Sequence, residues 1–472
     1  VAELTPDDLE DVQGVILRGY RSLRRARHLV LRIDRPQAFK ALLVELATES
    51  EDGLFVTVAA DWTDKPPAGR KPDSCINIGL TAPGLVRLGL PEEDLATFPA
   101  EFRAGAVAQA GQVGDTGVND PARWIEPLRP ERHDDVHAIL SLFARDEVAM
   151  SLASSDVLAL VGRDGAARVL LSWDTGALTE ELHASGVVHF GYRDGLSQPS
   201  IAGAPLAGIP DPLELVPPGD FVLGHPSQRP GYTYPVPAPE ALGRNGSFAA
   251  FRIAEQDVDA FERFLTDGSD GTEHGRELLA ARLCGRWRNG VPLVMSPDSD
   301  ALSVDAARLN MFDYANDDPD PSGDAHARAD PRGELCPLAS HIRRANPRLG
   351  RVAGNGGQKR RMVRRGAPFG EPFAPAHPEH AATRGLAGLF ICVSLSDQFE
   401  FVMRKWINDG RFAGLGQTKD PLVGNNDPSG SFPLAGAPAV DGLSAFVTTL
   451  GAAYVFLPSI TGLRHLGALP AS

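Results

Sequence analysis

Three stretches of this chain combine side chains able to move protons, bind a metal and hold negative charge. The first is VVHFGYRDGLSQP, residues 187–199, where a short apolar strand is expected to run into Gly191-Tyr192-Arg193-Asp194-Gly195. Glycines on both sides of one carboxylate permit positive φ and close backbone approach, so the turn can project Asp194 over whatever lies beside it. A plain Asp-Gly turn has the same composition. The second is CPLASHIRRANPR, residues 336–348, in which Pro337 can open a helical turn and Asn346-Pro347 can close it. There His341, flanked by Leu338 and Ile342, suits a neutral imidazole that binds a metal through one nitrogen while a hydrogen bond fixes the other. Most of the 12 histidines must nevertheless serve as surface or core residues. The third is RRMVRRGAPFGEPF, residues 360–373, a basic strand edge that stops at Gly366 and Pro368. Guanidinium keeps its charge when partly buried, so this edge can hold an anion, although a solvated basic patch reads the same way.

Repeated strand-helix units must position these stretches. His28–Ile33 reads as a strand and Ala38–Ala47 as a helix; Cys75–Leu80 leads into Ala82–Leu88, and Ala138–Phe143 into Ala149–Leu160. The second half repeats the rhythm. Phe248–Ile253 precedes a helix carrying Val258, Phe261, Phe264 and Leu265; Leu386–Ser394 precedes Asp397–Ile407, and Tyr454–Leu457 precedes Gly462–Leu466. Two α+β units are expected, each an antiparallel sheet with helices on one face. Between them, the proline-rich tract from Ile209 to Arg244 excludes regular helix over most of its length, and Tyr314–Arg332 is a second irregular tract.

At 472 residues the chain exceeds what one hydrophobic core usually organises, which agrees with two units and leaves room to bury a bulky ligand. Acidic residues outnumber basic ones, 61 to 46, for a net charge of −15, a field that repels nucleic acid and anionic lipid. No apolar run reaches spanning length, and residues 1–32 lack the basic, apolar and small-residue pattern of a leader, so a cytoplasmic, non-membrane protein is expected. The four cysteines are widely spaced, without CxxC or CxxCH, so no thioether-linked cofactor is expected.

Taken together and in this order, the three stretches resemble the dye-decolourising peroxidase family. GYRDG at 191–195 matches its GxxDG fingerprint, ASHIRRANPR at 339–348 is similar to the segment with its proximal histidine, and RRGAPFG at 364–370 to the one with its distal arginine. DVQGVILRGY at 11–20, FEFVMRKWIN at 399–408, DPLVG at 420–424 and YVFLPSITGLRHL at 454–466 look like the longer bacterial members, so the resemblance covers nearly the whole chain. It implies two ferredoxin-like modules, residues 1–215 ending with the GxxDG segment and 216–472, with non-covalent haem b in the second. It implies His341 as the iron ligand, Asp194 as the group that takes the proton of hydrogen peroxide and passes it to the distal oxygen, and Arg364 as the stabilising charge, with Arg365 as the alternative. Reaction through a ferryl state and two one-electron oxidations of aromatic, dye or phenolic donors would follow.

The resemblance further implies that Arg343 pairs with a haem propionate and that Leu389 and Phe390, with Gly195, line the pocket. For the hydrogen bond that must fix the His341 imidazole, Glu400 is the candidate, and an ordinary helical glutamate the equal alternative. Some relatives carry asparagine where this chain has Gly366; Met403 stands where a polar residue is common, and Thr418-Lys419 interrupts the stretch before DPLVG. Trp287, Trp406 and Tyr454 are candidate electron relays, or buried packing. Glu255, Glu262, Glu273 and Glu277 can gather Mn(II), or form a solvated acidic face. A haem carrier without fast turnover, and a metal-free scaffold, remain as competing readings.

Overall fold

In the computed structural model, residues 3–20, 22–49, 54–63, 66, 71–176, 186–205, 215–305, 308–317, 327–348, 360–373 and 383–470 are described. Pro210 and Pro212 of the proline-rich tract, and 318–326 of the second irregular tract, lie outside them. The strands are β1 (Arg25–Ile33), β2 (Ser74–Leu80), β3 (Ala138–Ala144), β4 (Ala167–Thr175), β5 (Ser200–Ile201), β6 (Leu215–Val216), β7 (Ser247–Gln256), β8 (Val363–Phe369), β9 (Gly385–Cys392), β10 (Gly430–Leu434), β11 (Ala437–Leu443) and β12 (Val447–Leu457). Eight of them form one sheet in the order β4-β1-β3-β2-β12-β7-β9-β8.

That order contains the expected duplication. Within each half the strands run fourth, first, third, second in chain order, with a helix after the first strand and another after the third, which is the ferredoxin-like arrangement. The two halves meet edge to edge where Phe456 of β12 pairs with Leu80 of β2. At the far ends the sheet curls back on itself, because Gly176 N–H donates to Pro368 O at 2.6 Å and Trp173 packs edge-on against Phe369. The expected boundary between residues 215 and 216 falls inside β6, which pairs with β5.

Local chemistry explains the helices. Asp146 caps Glu147–Gly162 by accepting from Ala149 N, Asp257 caps Val258–Gly268 by accepting from Ala260 N, and Thr272 caps Glu273–Cys284. The segment 395–407 is wound wider than an α-helix over Leu395–Phe399 and Val402–Ile407, a form often found beside functional sites. The ends of the chain are tied together. Lys40 Nζ donates to the carbonyls of Leu469 and Pro470, and Arg464 to that of Ala47, fastening the helix Ile460–Gly467 to Pro36–Leu46.

One deeply buried base makes the core pH-sensitive. His28 on β1 lies against Phe251 and Phe143, with Nδ1 bonded to Ser141 Oγ at 2.9 Å, and burial pushes its pKa down to about 4. The fold therefore holds the neutral ring, and between pH 4 and 6.5 the unfolded chain binds the extra proton. Stability from this group is complete above pH 6.5 and is lost as pH falls toward 4, to the extent of about 3 kcal/mol. Chemical denaturation at pH 7.5 and pH 4.5 should show a larger acid loss for the native chain than for His28→Gln.

Candidate functional site

A cavity of about 420 Å³ lies on one face of the second half of the sheet, within the usual size of cofactor pockets. Strand alternation decides what faces it. Arg364 pairs with Phe390, Gly366 with Gly388, and Gly388 with Arg252, so these residues share the cavity face of β8, β9 and β7. Arg365 points to the opposite face. There it is buried, donating from Nε to Val15 O at 2.7 Å and from Nη2 to Ile16 O, and burial lowers its pKa to about 9. Between the two arginines of the motif, the two-residue period thus selects Arg364 as the one that meets the cavity.

The GxxDG segment forms another wall. It is a tight turn closed by a bridge between Val187 and Arg193, with Gly191 N–H donating to Val188 O; the strand expected before it is reduced to that bridge. Gly191 and Gly195 take φ of +82° and +75°, which a side chain would strain. Tyr192 anchors the turn by donating to Ala280 O at 2.7 Å, and Phe190 packs on Phe261. Asp194 lines the cavity, and among the described residues no group hydrogen-bonds its carboxylate. The same loop grips β8, the last strand in the sheet order: Gln198 exchanges two hydrogen bonds with the backbone of Arg364, whose Nη2 donates to Ser197 O at 2.6 Å. Aspartate and arginine are therefore held by one loop-strand junction.

His341 opens the short helix His341–Ala345, whose N-cap Ser340 is buried and donates to Arg282 O. Its ring lines the cavity, and Nδ1 lies 3.0 Å from Oδ2 and 3.2 Å from Oδ1 of Asp420. Asp420 is fully buried and also accepts from the backbone N–H of Leu422 and Val423. Burial works to raise its pKa, but His341, Arg344 and the Val423 N–H outweigh that and hold it below the usual carboxylate range. Arg344 pins the assembly by donating to the carbonyls of Trp406, Thr418 and Asp409. A carboxylate that fixes one imidazole nitrogen leaves Nε2 for the cavity.

Several expectations are corrected here. Glu400 is not the partner of His341: the wide helical segment turns it toward β12, where it accepts from Tyr454 Oη at 3.0 Å. Arg343 does not border the cavity. Two residues along a helix is about 200° around it, so Arg343 faces away from His341, donating to Asp330 and the Cys336 carbonyl and stacking on Tyr314. Leu389 borders the cavity, but in register it pairs with Arg365 and Phe251 on the other face; Phe390 is the one that shares a face with Arg364. The acidic set does not converge on a metal. Glu262 and Glu277 are both ion-paired with Arg288 and Arg276, and among the described residues no cluster of three metal-ligating side chains occurs. Trp287 is buried with Nε1 bonded to Ser296 O, and Trp406 is half-buried against Phe401.

Asp420, Gln198 and Ser197 were not singled out in the sequence. Asp420 had a signal, since it heads the DPLVG stretch.

The cavity also has the charge for a large anionic cofactor. Arg252, Arg286, Arg360, Arg361 and Arg364 line it against two carboxylates, Asp115 and Asp194. Arg286 is buried and donates to the carbonyls of Gly290 and Leu309 and to Asn310 Oδ1. Gly366 and Gly388 leave the middle of the wall bare. A Cβ at Gly366 would meet only Ala387 O at 3.6 Å, whereas one at Gly388 would come within 2.1 Å of Arg365 O. Gly366→Leu is accordingly expected to fold with an unchanged melting temperature while losing uptake of a flat, bulky cofactor in a spectral titration. Gly388→Ala should instead lower stability by roughly 1–3 kcal/mol, visible in the same melting experiment.

Two ferredoxin-like units joined through one sheet, with a carboxylate-oriented histidine sharing a cavity with an aspartate and an arginine, define an α+β peroxidase. No family model matches the chain. It is 29% identical to a dye-decolorizing peroxidase of Mycena epipterygia, over 98% of this chain and 87% of that protein. It is also 29% identical to a multifunctional dye peroxidase of an Amycolatopsis species, over 83% and 82%. A solved dye-decolorizing peroxidase in complex with 2,6-dimethoxyphenol superposes with a TM-score of 0.78 at 25% identity, covering 98% of this chain and all of that one. A second solved structure of such an enzyme gives 0.79 at 26%, over 98% of each. Over nearly its whole length the chain is similar to dye-decolourising peroxidases in both sequence and fold. Its relatives include fungal as well as bacterial proteins, so the likeness is broader than the longer bacterial members. Among the described residues no helix is long and apolar enough to cross a membrane.

Proposed function

We propose that the cavity holds haem b without covalent attachment, and that the protein reduces hydrogen peroxide while oxidising dyes and phenols by one-electron steps. One observation carries this reading: His341 is held by the buried Asp420 through Nδ1, which turns its other nitrogen over to a cavity large enough for a porphyrin. Haem, when bound, supplies the iron at which the peroxide O–O bond is broken and donor electrons are collected.

The protein's own groups do the rest. His341 Nε2 would hold the iron, and Asp420 would keep the proton on Nδ1 and strengthen that nitrogen as a ligand. Asp194 takes the peroxide proton and delivers it to the departing oxygen. Arg364, fixed by Ser197 and Gln198, holds a positive charge where negative charge develops. Phe390 keeps bulk water from that side, and the bare backbone of Gly366 and Gly388 leaves space for the ring. In place of Arg343, Arg286 is a buried arginine of the cavity wall whose described partners are carbonyl oxygens, and it suits a propionate. The complex of a solved relative with 2,6-dimethoxyphenol supports phenols as donors.

Peroxide-dependent oxidation of 2,6-dimethoxyphenol by the haem-loaded protein tests the reading. Turnover that requires both peroxide and haem is expected. Tight haem binding without turnover would instead identify a carrier.

A further inference from the structure

Six tyrosines occur in the chain, and their phenols meet different partners. Tyr20 donates to Asn77 Oδ1, Tyr192 to the Ala280 carbonyl, and Tyr314 approaches Cys336 Sγ at 3.9 Å. Among the described hydrogen bonds, only the Tyr454 phenol donates to a carboxylate, Glu400 Oε1 at 3.0 Å, with both residues buried. This pair sits one ring behind the cavity wall. Tyr454 meets Phe399 edge-on with ring centroids 6.1 Å apart, Phe399 meets Phe390 at 5.5 Å, and both phenylalanines line the cavity.

A phenol that loses an electron becomes a strong acid. In an apolar interior the resulting charge is costly, so the oxidation is favourable where a base takes the proton at the same time. Tyr20, Tyr192 and Tyr314 have an amide oxygen, a carbonyl and a thiol as partners, none of which is such a base. Glu400 is one, and burial, the largest influence on it, raises its pKa and makes it a better proton acceptor. Arg404 and Glu101 act on Glu400 electrostatically, and Glu101 also accepts from Ser396 N on the exposed side.

We propose that Tyr454 is a redox-active residue which surrenders one electron to the peroxide-oxidised cofactor in the cavity while its proton passes to Glu400. The O–H bond of Tyr454 breaks, the electron reduces the cofactor by one equivalent, and a neutral phenoxyl radical faces a protonated Glu400. An aromatic donor later returns one electron, Glu400 returns the proton, and the phenol is restored. One oxidising equivalent is thus stored behind Phe399 until a donor arrives. This inference rests on the haem peroxidase reading above.

The test is electron paramagnetic resonance on haem-loaded protein frozen within a second of adding one equivalent of peroxide, without donor. Protein grown on ring-deuterated tyrosine identifies the signal, and the Soret band is followed in parallel. A tyrosyl signal in the native chain that narrows on deuteration, disappears in Tyr454→Phe and falls severalfold in Glu400→Gln is expected. Tyr454→Phe removes one oxygen, and Glu400→Gln, which keeps its shape, is an independent second arm. The same tyrosyl signal in Tyr454→Phe, or no such signal in the native chain although its Soret band responds, would overturn the proposal. An undiminished yield in Glu400→Gln would overturn the proton transfer. A native chain whose Soret band ignores peroxide would defeat the peroxidase reading first, and this inference with it.

Discussion

Asp194→Asn is expected to leave haem binding and the resting absorption spectrum unchanged while slowing the reaction with hydrogen peroxide by roughly 10²–10⁴-fold, the range of a lost general acid-base group. The substitution is nearly isosteric. The turn around it is held by backbone contacts, Asp194 N–H to Gly186 O and Arg193 N–H to Arg288 O, and by the positive φ of Gly191 and Gly195, none of which involves the carboxylate. Loss of rate would therefore report chemistry and not folding. Stopped-flow absorbance after mixing with peroxide measures it, and a rate within a factor of about two of the native value would remove Asp194 from the proton path.

The second large effect belongs to the other side of the cavity. Asp420→Ala should weaken haem binding about 10–100-fold, as loss of a carboxylate behind a metal-bound histidine does. It also strands the N–H groups of Leu422 and Val423, which both donate to Asp420 Oδ1, at a cost of about 1–3 kcal/mol each. Asp420→Asn, whose amide oxygen can still accept from Nδ1–H, should lie between that variant and the native chain. Glu400→Gln should leave haem affinity unchanged, because Glu400 faces Tyr454. Haem titration of the four proteins ranks them, and a loss in Glu400→Gln equal to that in Asp420→Ala would contradict the assignment.

The difference between those two carboxylates shows what the sequence could carry. Strand-helix periodicity located the elements well: the expected strands at 28–33, 75–80 and 138–143 lie within β1, β2 and β3, and the repeat of the rhythm announced two similar units. The junction of the sheet's two halves did not show, because the strand ladder crosses it in a single register pair, Phe456 with Leu80, which leaves no local pattern. Residues whose roles depend on backbone period were recoverable. Arg364 and Arg365 are chemically equal, and alternation along β8 separates them once the register with β9 is known. Pairings across the fold were not recoverable. His341 and Asp420 are 79 residues apart, and nothing near Glu400 in the sequence says that its helical segment turns it toward Tyr454. The Arg343 expectation came from a resemblance, which carries no direction, whereas a two-residue step in a helix turns this side chain away from His341 and toward Asp330.

Absorption spectroscopy of the haem-loaded native chain and of His341→Ala, before and just after one equivalent of hydrogen peroxide, tests the central claim most directly. The expected result is a Soret band in the native protein that shifts on mixing, and a band that is lost or reduced to that of loosely held haem in His341→Ala. A native spectrum without a Soret band in protein supplied with haem, or an identical peroxide response from His341→Ala, would contradict it.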